Sequence, residues 1–280
     1  LEPEKWVSVF TRLLTEQGHT IKLYDVKPRK AKALAERYRL EHSTSLPEAV
    51  SGVDLVLICA TTETVPGLVT DVEPPKGSDT IISEIASFKM KTIPALKKSG
   101  GIRPLSVHPM FGPDIDTFKG ETFAVVSVND SLKEMEMARM LFPGAKLIPL
   151  TPKVHDRCMA SILSLPYFMN LAFACALTEG DLQLMKELAG PTFKIQMSVT
   201  QSIVGESPEL IHSLVNDNVF SWALFQKFIK ETQHLATLFE SGPKSVAPLV
   251  GDLRDFFGGD VKLKSARALR NLMLESLKKN

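Results

Sequence analysis

The chain has 280 residues, of which 44% are hydrophobic and 23% charged, with a formal net charge of +1. That length is too great for one small core and suits two domains of a soluble globular protein. The charge balance leaves no strong field to attract nucleic acid or an anionic membrane.

Residues 7–17 carry Val9, Phe10, Leu13 and Leu14 at helical spacing, and Gly18 follows as a stop. Residues 20–25 form a short β-type run that ends in Asp25, and residues 30–38 are alanine-rich and helical. Residues 54–60 are a continuous apolar run, which predicts a strand buried on both faces. A helix follows around 65–69, a strand at 80–85 and a lysine-bearing helix up to Lys98, and strands at 105–108 and 123–128 complete the set. Strands alternating with helices over short links predict a Rossmann-like α/β domain with a doubly wound parallel sheet. After Leu150 the periodicities are helical. A boundary at Thr151-Pro152 gives an α/β domain over 1–150 and an all-α domain over 151–280. There, Phe220, Leu224, Phe228 and Leu235 form a stripe expected as core or subunit contact. The apolar stretch 162–177 is interrupted by Ser164, Pro166 and Asn170 and is short for a span of roughly 20 residues, which predicts a buried helix.

Three scattered cysteines, Cys59, Cys158 and Cys175, each sit among apolar neighbours. They are expected as buried free thiols in the reducing cytoplasm rather than as disulfides or a zinc site. No charged-then-apolar leader opens the chain, so no secretory signal is expected. No residues have metal-ligand spacing.

A doubly wound sheet binds a dinucleotide at the carboxyl ends of its strands, where strand order reverses. Asp25 is placed to accept hydrogen bonds from adenosine ribose hydroxyls, which favours NAD; Lys27 and Arg29 weaken the discrimination against NADP. The plainer alternative is a strand-ending acid with no ligand. Ala60, Thr61 and Thr62, after the third β-type run, and Ser87, after the fourth, are the other expected cofactor contacts. A glycine-rich turn is expected about 20 residues before the acid. That region reads Leu1-Glu2-Pro3-Glu4-Lys5-Trp6-Val7, with neither the glycines nor a preceding strand. Glutamates there would repel a pyrophosphate. Either this sequence lacks its true beginning or the chain binds its dinucleotide poorly.

The segment Ser106-Val107-His108-Pro109-Met110-Phe111-Gly112-Pro113-Asp114 places His108 in a turn-rich loop stiffened by two prolines. A histidine held this way can exchange a proton near neutral pH in a defined direction, although a histidine that merely caps a turn is the plainer reading. Ser87 and Lys89 follow the strand that ends at Glu84, and with His108 they can converge on one crevice. Lys89 at the start of a helix facing water is the alternative. His155-Asp156 at a helix start reads as a structural hydrogen-bonding pair, and His19, His42, His212 and His234 as surface residues.

Ala86-Ser87-Phe88-Lys89, the His108-to-Asp114 loop and His155-Asp156 opening a long helix together resemble the prephenate/arogenate dehydrogenase family over nearly the whole chain. The resemblance implies an NAD(P)-dependent oxidative decarboxylation in tyrosine biosynthesis and a homodimer built on the helical domain. It implies that His108 takes the proton of the substrate ring hydroxyl and that Ser87 supports it. Lys194, in Pro191-Thr192-Phe193-Lys194, falls where many members have an arginine on a substrate carboxylate; lysine keeps the charge and loses the bidentate fork. Tyr167 falls where a histidine is common, Leu163 where some members have glutamine, and Glu84 in place of a usual aspartate. Lys194, Tyr167 and Lys89 are the expected substrate contacts. Two rivals remain: another hydroxyacid dehydrogenase of the same two-domain plan, and a homologue without cofactor that serves as a binding or regulatory protein.

Overall fold

The computed structural model describes residues 3–72, 79–99 and 103–277. It divides into two compact units, one of Leu1–Ile162 with His212–Val219 and the other of Leu163–Ile211 with Phe220–Asn280.

The first unit opens on α1 (Pro3–Glu16), which buries Trp6, Val9, Phe10, Leu13 and Leu14. These are the apolar positions of residues 7–17, and the helix extends back to Pro3 because proline suits a first turn. There follow β1 (Lys22–Leu23), α2 (Pro28–Tyr38), β2 (Glu41–His42), α3 (Leu46–Val50), β3 (Leu55–Ile58), α4 (Val65–Asp71), β4 (Ile81–Glu84), α5 (Lys89–Lys98), β5 (Arg103–Pro109), β6 (Thr122–Val126), α6 (Ser131–Leu141), β7 (Lys146–Leu150) and α7 (Pro152–Met159). Of these, β2, α3, α6 and β7 have no counterpart among the elements predicted above.

Strands β3 to β7 form one sheet in sequence order, and β1 and β2 form a separate two-stranded sheet. The pairs β3–β4, β4–β5 and β6–β7 are parallel, but β5 and β6 run antiparallel. The expectation of a wholly parallel sheet is therefore corrected at one pair. The proline-rich segment after β5 turns the chain back, and Met110 N donates to Thr122 O at 2.9 Å as the return begins.

Alternation along the strands builds two cores. Ile81, Ile85, Leu105, Val107, Phe123 and Val125 share one with α1 and α6. Ile82, Ala86, Ala124 and Val126 share the other with side chains of α4 and α5 such as Val65, Val69, Ile93 and Leu96.

Ile21, just before β1, and Leu55 and Leu57 of β3 pack against the same core. Among the described residues, no backbone hydrogen bond joins β1 to β3. A doubly wound sheet of order 3-2-1-4-5-6 has a strand between these two, and the described residues supply none. As a result Leu55, Val56 and Leu57 are only half-buried, and of β3 only Ile58 is buried. The prediction of a strand buried on both faces fails there, since no strand among the described residues pairs with the second edge of β3.

The second unit is helical: α8 (Leu165–Ala176), α9 (Leu182–Glu187), α10 (Pro191–Val204), the start of α11 (Pro208–Asn216) up to Ile211, α12 (Ser221–Glu240), α13 (Pro243–Phe256) and α14 (Gly259–Leu277). Strands end at Leu150, whereas by packing residues up to Ile162 belong with the first unit. α8 buries only Asn170, where a buried helix was expected. The Asn170 Oδ1 accepts from Gln196 Nε2 at 2.8 Å and from Thr200 Oγ1 at 2.7 Å, tying α8 to α10. Phe225 stacks on Phe168 with ring centroids 4.4 Å apart and, with Ser221, is fully buried in α12, beside the predicted stripe of Phe220, Leu224, Phe228 and Leu235. By length and composition one described helix, Pro152–Ala176, could cross a membrane. Its first two turns, however, carry His155 and Asp156 in a buried hydrogen-bond network. The cysteines are free, but Cys59 is half-buried and Cys158 and Cys175 are exposed, which corrects the expectation that all three are buried.

Candidate functional site

Period two on β5 decides which way its residues point. Leu105 and Val107 enter the α1–α6 core, so Ser106 and His108 face the opposite side, toward α5. His108 is the penultimate residue of β5, so the expectation of a loop histidine is corrected: the loop begins only after Pro109. Ser106 pairs in register with Glu84 of β4. The buried Glu84 Oε1 accepts from Lys89 Nζ at 2.8 Å, from Thr92 Oγ1 at 3.2 Å and from Ser106 Oγ, and Oε2 accepts from Ala86 N at 2.7 Å. Lys89 Nζ also donates to Val107 O at 2.7 Å.

Lys89 and Glu84 are both 0% exposed, so this is a fully enclosed ion pair with hydrogen bonds from several sides. Lys89 is thus a strut between α5 and the carbonyl preceding His108. It offers no free ammonium to a ligand, which corrects its expected substrate role, and it does not face water either. Burial pushes its pKa down, opposed by Glu84 and Asp156.

A second buried network starts from α7. Asp156 Oδ1 accepts from Lys89 N at 2.9 Å, and Oδ2 accepts from the same amide at 3.1 Å and from Met90 N at 2.8 Å. These amides open α5, where the unpaired N–H groups of a helix terminus favour a carboxylate. Asp156 Oδ1 is also 2.7 Å from His155 Nδ1, and His155 Nε2 is 3.0 Å from His108 Nδ1. Asn218 Nδ2 donates to Asp156 O at 2.7 Å. The pair read from sequence as a structural hydrogen-bonding pair therefore reaches the candidate base. The sequence signal was a His-Asp dipeptide at a helix start; what it touches 47 residues away was not written locally.

His108 is 5% exposed. Its Nε2 has no hydrogen-bond partner among the described residues. Burial lowers its pKa well below the usual histidine range, and His155 and Lys89 add to the effect. Burial also lowers the pKa of His155, opposed by its bond to Asp156. Both shifts favour the neutral ring, the state a proton acceptor needs.

The expected cofactor residues all lie beyond the carboxyl ends of strands. Asp25, half-buried, follows β1, and its Oδ1 accepts from Lys27 N at 2.7 Å. Ala60, Thr61 and Thr62 follow β3; Thr61 O accepts from the amides of Thr64 and Val65 in a tight turn into α4. Ser87 follows β4, is 4% exposed, and its hydroxyl has no partner among the described residues. With His108 near the end of β5, these residues occupy the side of the sheet where dinucleotides bind. The carboxylate and hydroxyls fit the ribose and nicotinamide ends of NAD. The first turn of α1 carries Glu4, ion-paired with Lys30, and a carboxylate there does not favour a pyrophosphate. Glu2, of the same segment, lies outside the described residues.

Lys194 and Tyr167 belong to the second unit. Lys194 is exposed on α10 and Tyr167 half-buried on α8, where burial raises its pKa and Glu206 adds to the effect. His19, His42, His212 and His234 are exposed. Among the described residues, no group of three or more His, Cys, Asp or Glu could hold a metal.

Residues 10–127 match the family described as "Prephenate dehydrogenase, nucleotide-binding domain", and residues 151–250 match "Prephenate dehydrogenase, dimerization domain". A curated relative from Methanocaldococcus jannaschii, named "Probable arogenate/prephenate dehydrogenase", is 20% identical over 92% of this chain and 59% of its own length. The T-protein of Enterobacter agglomerans is 24% identical over 61% of this chain and 47% of its own length. The chain thus spans about half to three-fifths of these relatives. The fold is shared with solved structures. Prephenate dehydrogenase from Aquifex aeolicus, in complex with hydroxyphenyl propionate and NAD+, has a TM-score of 0.73 at 18% identity, covering 93% of this chain and 94% of that one. Synechocystis arogenate dehydrogenase has a TM-score of 0.64 at 20% identity, covering 89% of this chain and 95% of that one.

Proposed function

Since the chain belongs to the prephenate dehydrogenase family, we propose that it catalyses the NAD-dependent oxidative decarboxylation of prephenate or arogenate, with His108 as the base. The observation that carries this reading is a nearly buried imidazole near the carboxyl end of β5, in surroundings that favour its neutral form, one ring nitrogen engaged by His155 and the other without a protein partner among the described residues.

The residues divide the work. His108 Nε2 accepts the proton of the ring hydroxyl while the carbon bearing that hydroxyl loses hydride. Ser87 Oγ orients the same hydroxyl. NAD, when bound, supplies the hydride acceptor. Loss of the ring carboxylate as carbon dioxide then leaves its electron pair to aromatise the ring. The protein need only hold the geometry, take one proton and bind the carboxylates. Lys194 supplies a cation for a carboxylate, and Tyr167 lines the same substrate. Asp25 takes the adenosine ribose, and Ala60, Thr61, Thr62 and Ser87 flank the nicotinamide end. NADP is the alternative cofactor. The second unit carries exposed Val199, Val204, Phe239, Phe256, Leu269 and Leu272, apolar surface of the kind that a homodimer covers.

The test supplies prephenate and arogenate separately with NAD and follows NADH together with carbon dioxide. One product of each per turnover with one of the two substrates is expected. A second reading is favoured by Glu4 at the head of α1: a homologue that binds the substrate but not the dinucleotide. Prephenate binding with no NADH formed at millimolar NAD would replace the dehydrogenase reading with that one.

A further inference from the structure

The contacts around Asp156 dictate where the protons lie on two neighbouring imidazoles. Both Asp156 oxygens face backbone amides, which only donate, so a proton on either oxygen would point at another N–H. Asp156 is therefore an ionised carboxylate that accepts from everything around it. His155 Nδ1, 2.7 Å away, must be the donor in that contact. In a neutral His155 the other nitrogen, Nε2, is then the lone-pair atom. It faces His108 Nδ1 at 3.0 Å, so His108 Nδ1 must carry the proton of that bond. The rings meet edge to face, 5.1 Å between centroids at 62°, which leaves one nitrogen of each for the shared bond. The opposite assignment needs a doubly protonated His155. That ring is 0% exposed and lies in the field of the Lys89 ammonium, so the extra charge is disfavoured.

We propose that Asp156 and His155 are a positioning pair that holds His108 as its Nδ1–H tautomer and so leaves the His108 Nε2 lone pair as the acceptor. The α5 N-terminus anchors the carboxylate, the carboxylate fixes His155, and His155 fixes both the proton and the ring plane of His108. Neither residue touches the reacting atoms. The inference deepens the reading of His108 as the base and rests on it only for its catalytic meaning; the tautomer itself can be read without turnover.

The test is long-range proton–nitrogen correlation NMR on the full chain with 15N-labelled histidine at pH 8, with the His108 ring assigned through the His108→Asn spectrum. The expected result is a protonated Nδ1 and a bare Nε2 on His108. Asp156→Asn presents an amide that can donate to His155 Nδ1, which reverses both bonds, so His108 is expected to carry its proton on Nε2. Where the protein dehydrogenates prephenate, kcat should then fall about 10²–10⁴-fold while the chain stays folded, as expected when a catalytic histidine holds the wrong tautomer. His155→Gln is the second variant: its amide N–H can donate to Asp156 and its carbonyl can accept from His108, so the wild-type tautomer should persist. A wild-type His108 protonated on Nε2, or a tautomer that Asp156→Asn leaves unmoved, overturns the proposal. Failure of prephenate oxidation with the Nδ1–H tautomer in place counts against the dehydrogenase reading and leaves the positioning pair standing.

Discussion

His108 and His155 are two imidazoles that would each have to charge in a nearly water-free place, beside one another and beside the Lys89 ammonium. Folding therefore depends on pH through them. Both folded-state pKa values lie below the unfolded value of about 6.5, so between the two values the unfolded chain binds more protons. Their contribution is complete above about pH 6.5 and is lost as pH falls from there through the folded pKa values, with a slope of up to about 1.4 kcal/mol per pH unit for each ring. Urea unfolding at pH 7.5 and at pH 5.5 should show a lower midpoint at the acid pH, and His108→Asn should flatten that dependence. A midpoint that holds steady or rises toward pH 5.5 would show that these rings are charged in the folded state.

At the scale of elements, β3 makes the clearest commitment. Ile81 N donates to Asp54 O and Ile85 N to Ile58 O, which sets the parallel ladder so that Val56 and Ile58 present their backbone groups to β4. Leu55 and Leu57 then present theirs to the other edge, which pairs with no strand among the described residues. In native-state hydrogen exchange the Leu57 amide should exchange at least about tenfold faster than that of Ile58. Equal protection would mean that another strand covers the edge.

The same strands show what the sequence could reveal. Elements with a patterned buried face, such as α1, β4 and β5, were legible because alternation or helical spacing records the face they bury. β2 was not, since Glu41 and His42 are both exposed and carry no pattern. β7 holds Pro149, which argues against a strand, and α6 spreads its buried Met135, Met137 and Ala138 among charges. The antiparallel turn of β6 was hidden because side-chain alternation is the same in either direction. In the site, Ser87 and His108 could be found from their positions near strand ends. Lys89 could not be read as a buried strut, nor His155 as the neighbour of His108, because each depends on contacts between elements that only folding brings together.

For the molecule as a whole, the first unit gathers Asp25, Thr61, Thr62, Ser87 and His108 along one end of its strands, and the second offers Lys194 and Tyr167 on packed helices α10 and α8. Glu4 in the first turn of α1 brings a negative charge to a helix end of the kind that would receive a pyrophosphate. A low affinity for NAD would therefore leave the chemistry of His108 intact and would be overcome at high cofactor concentration. The claim on which the account turns is that this imidazole removes the hydroxyl proton. Its most direct test is turnover of prephenate at saturating NAD by His108→Asn against the unaltered chain, with circular dichroism to establish that both are folded. The account predicts a loss of about 10²–10⁴-fold in rate; equal rates would contradict it.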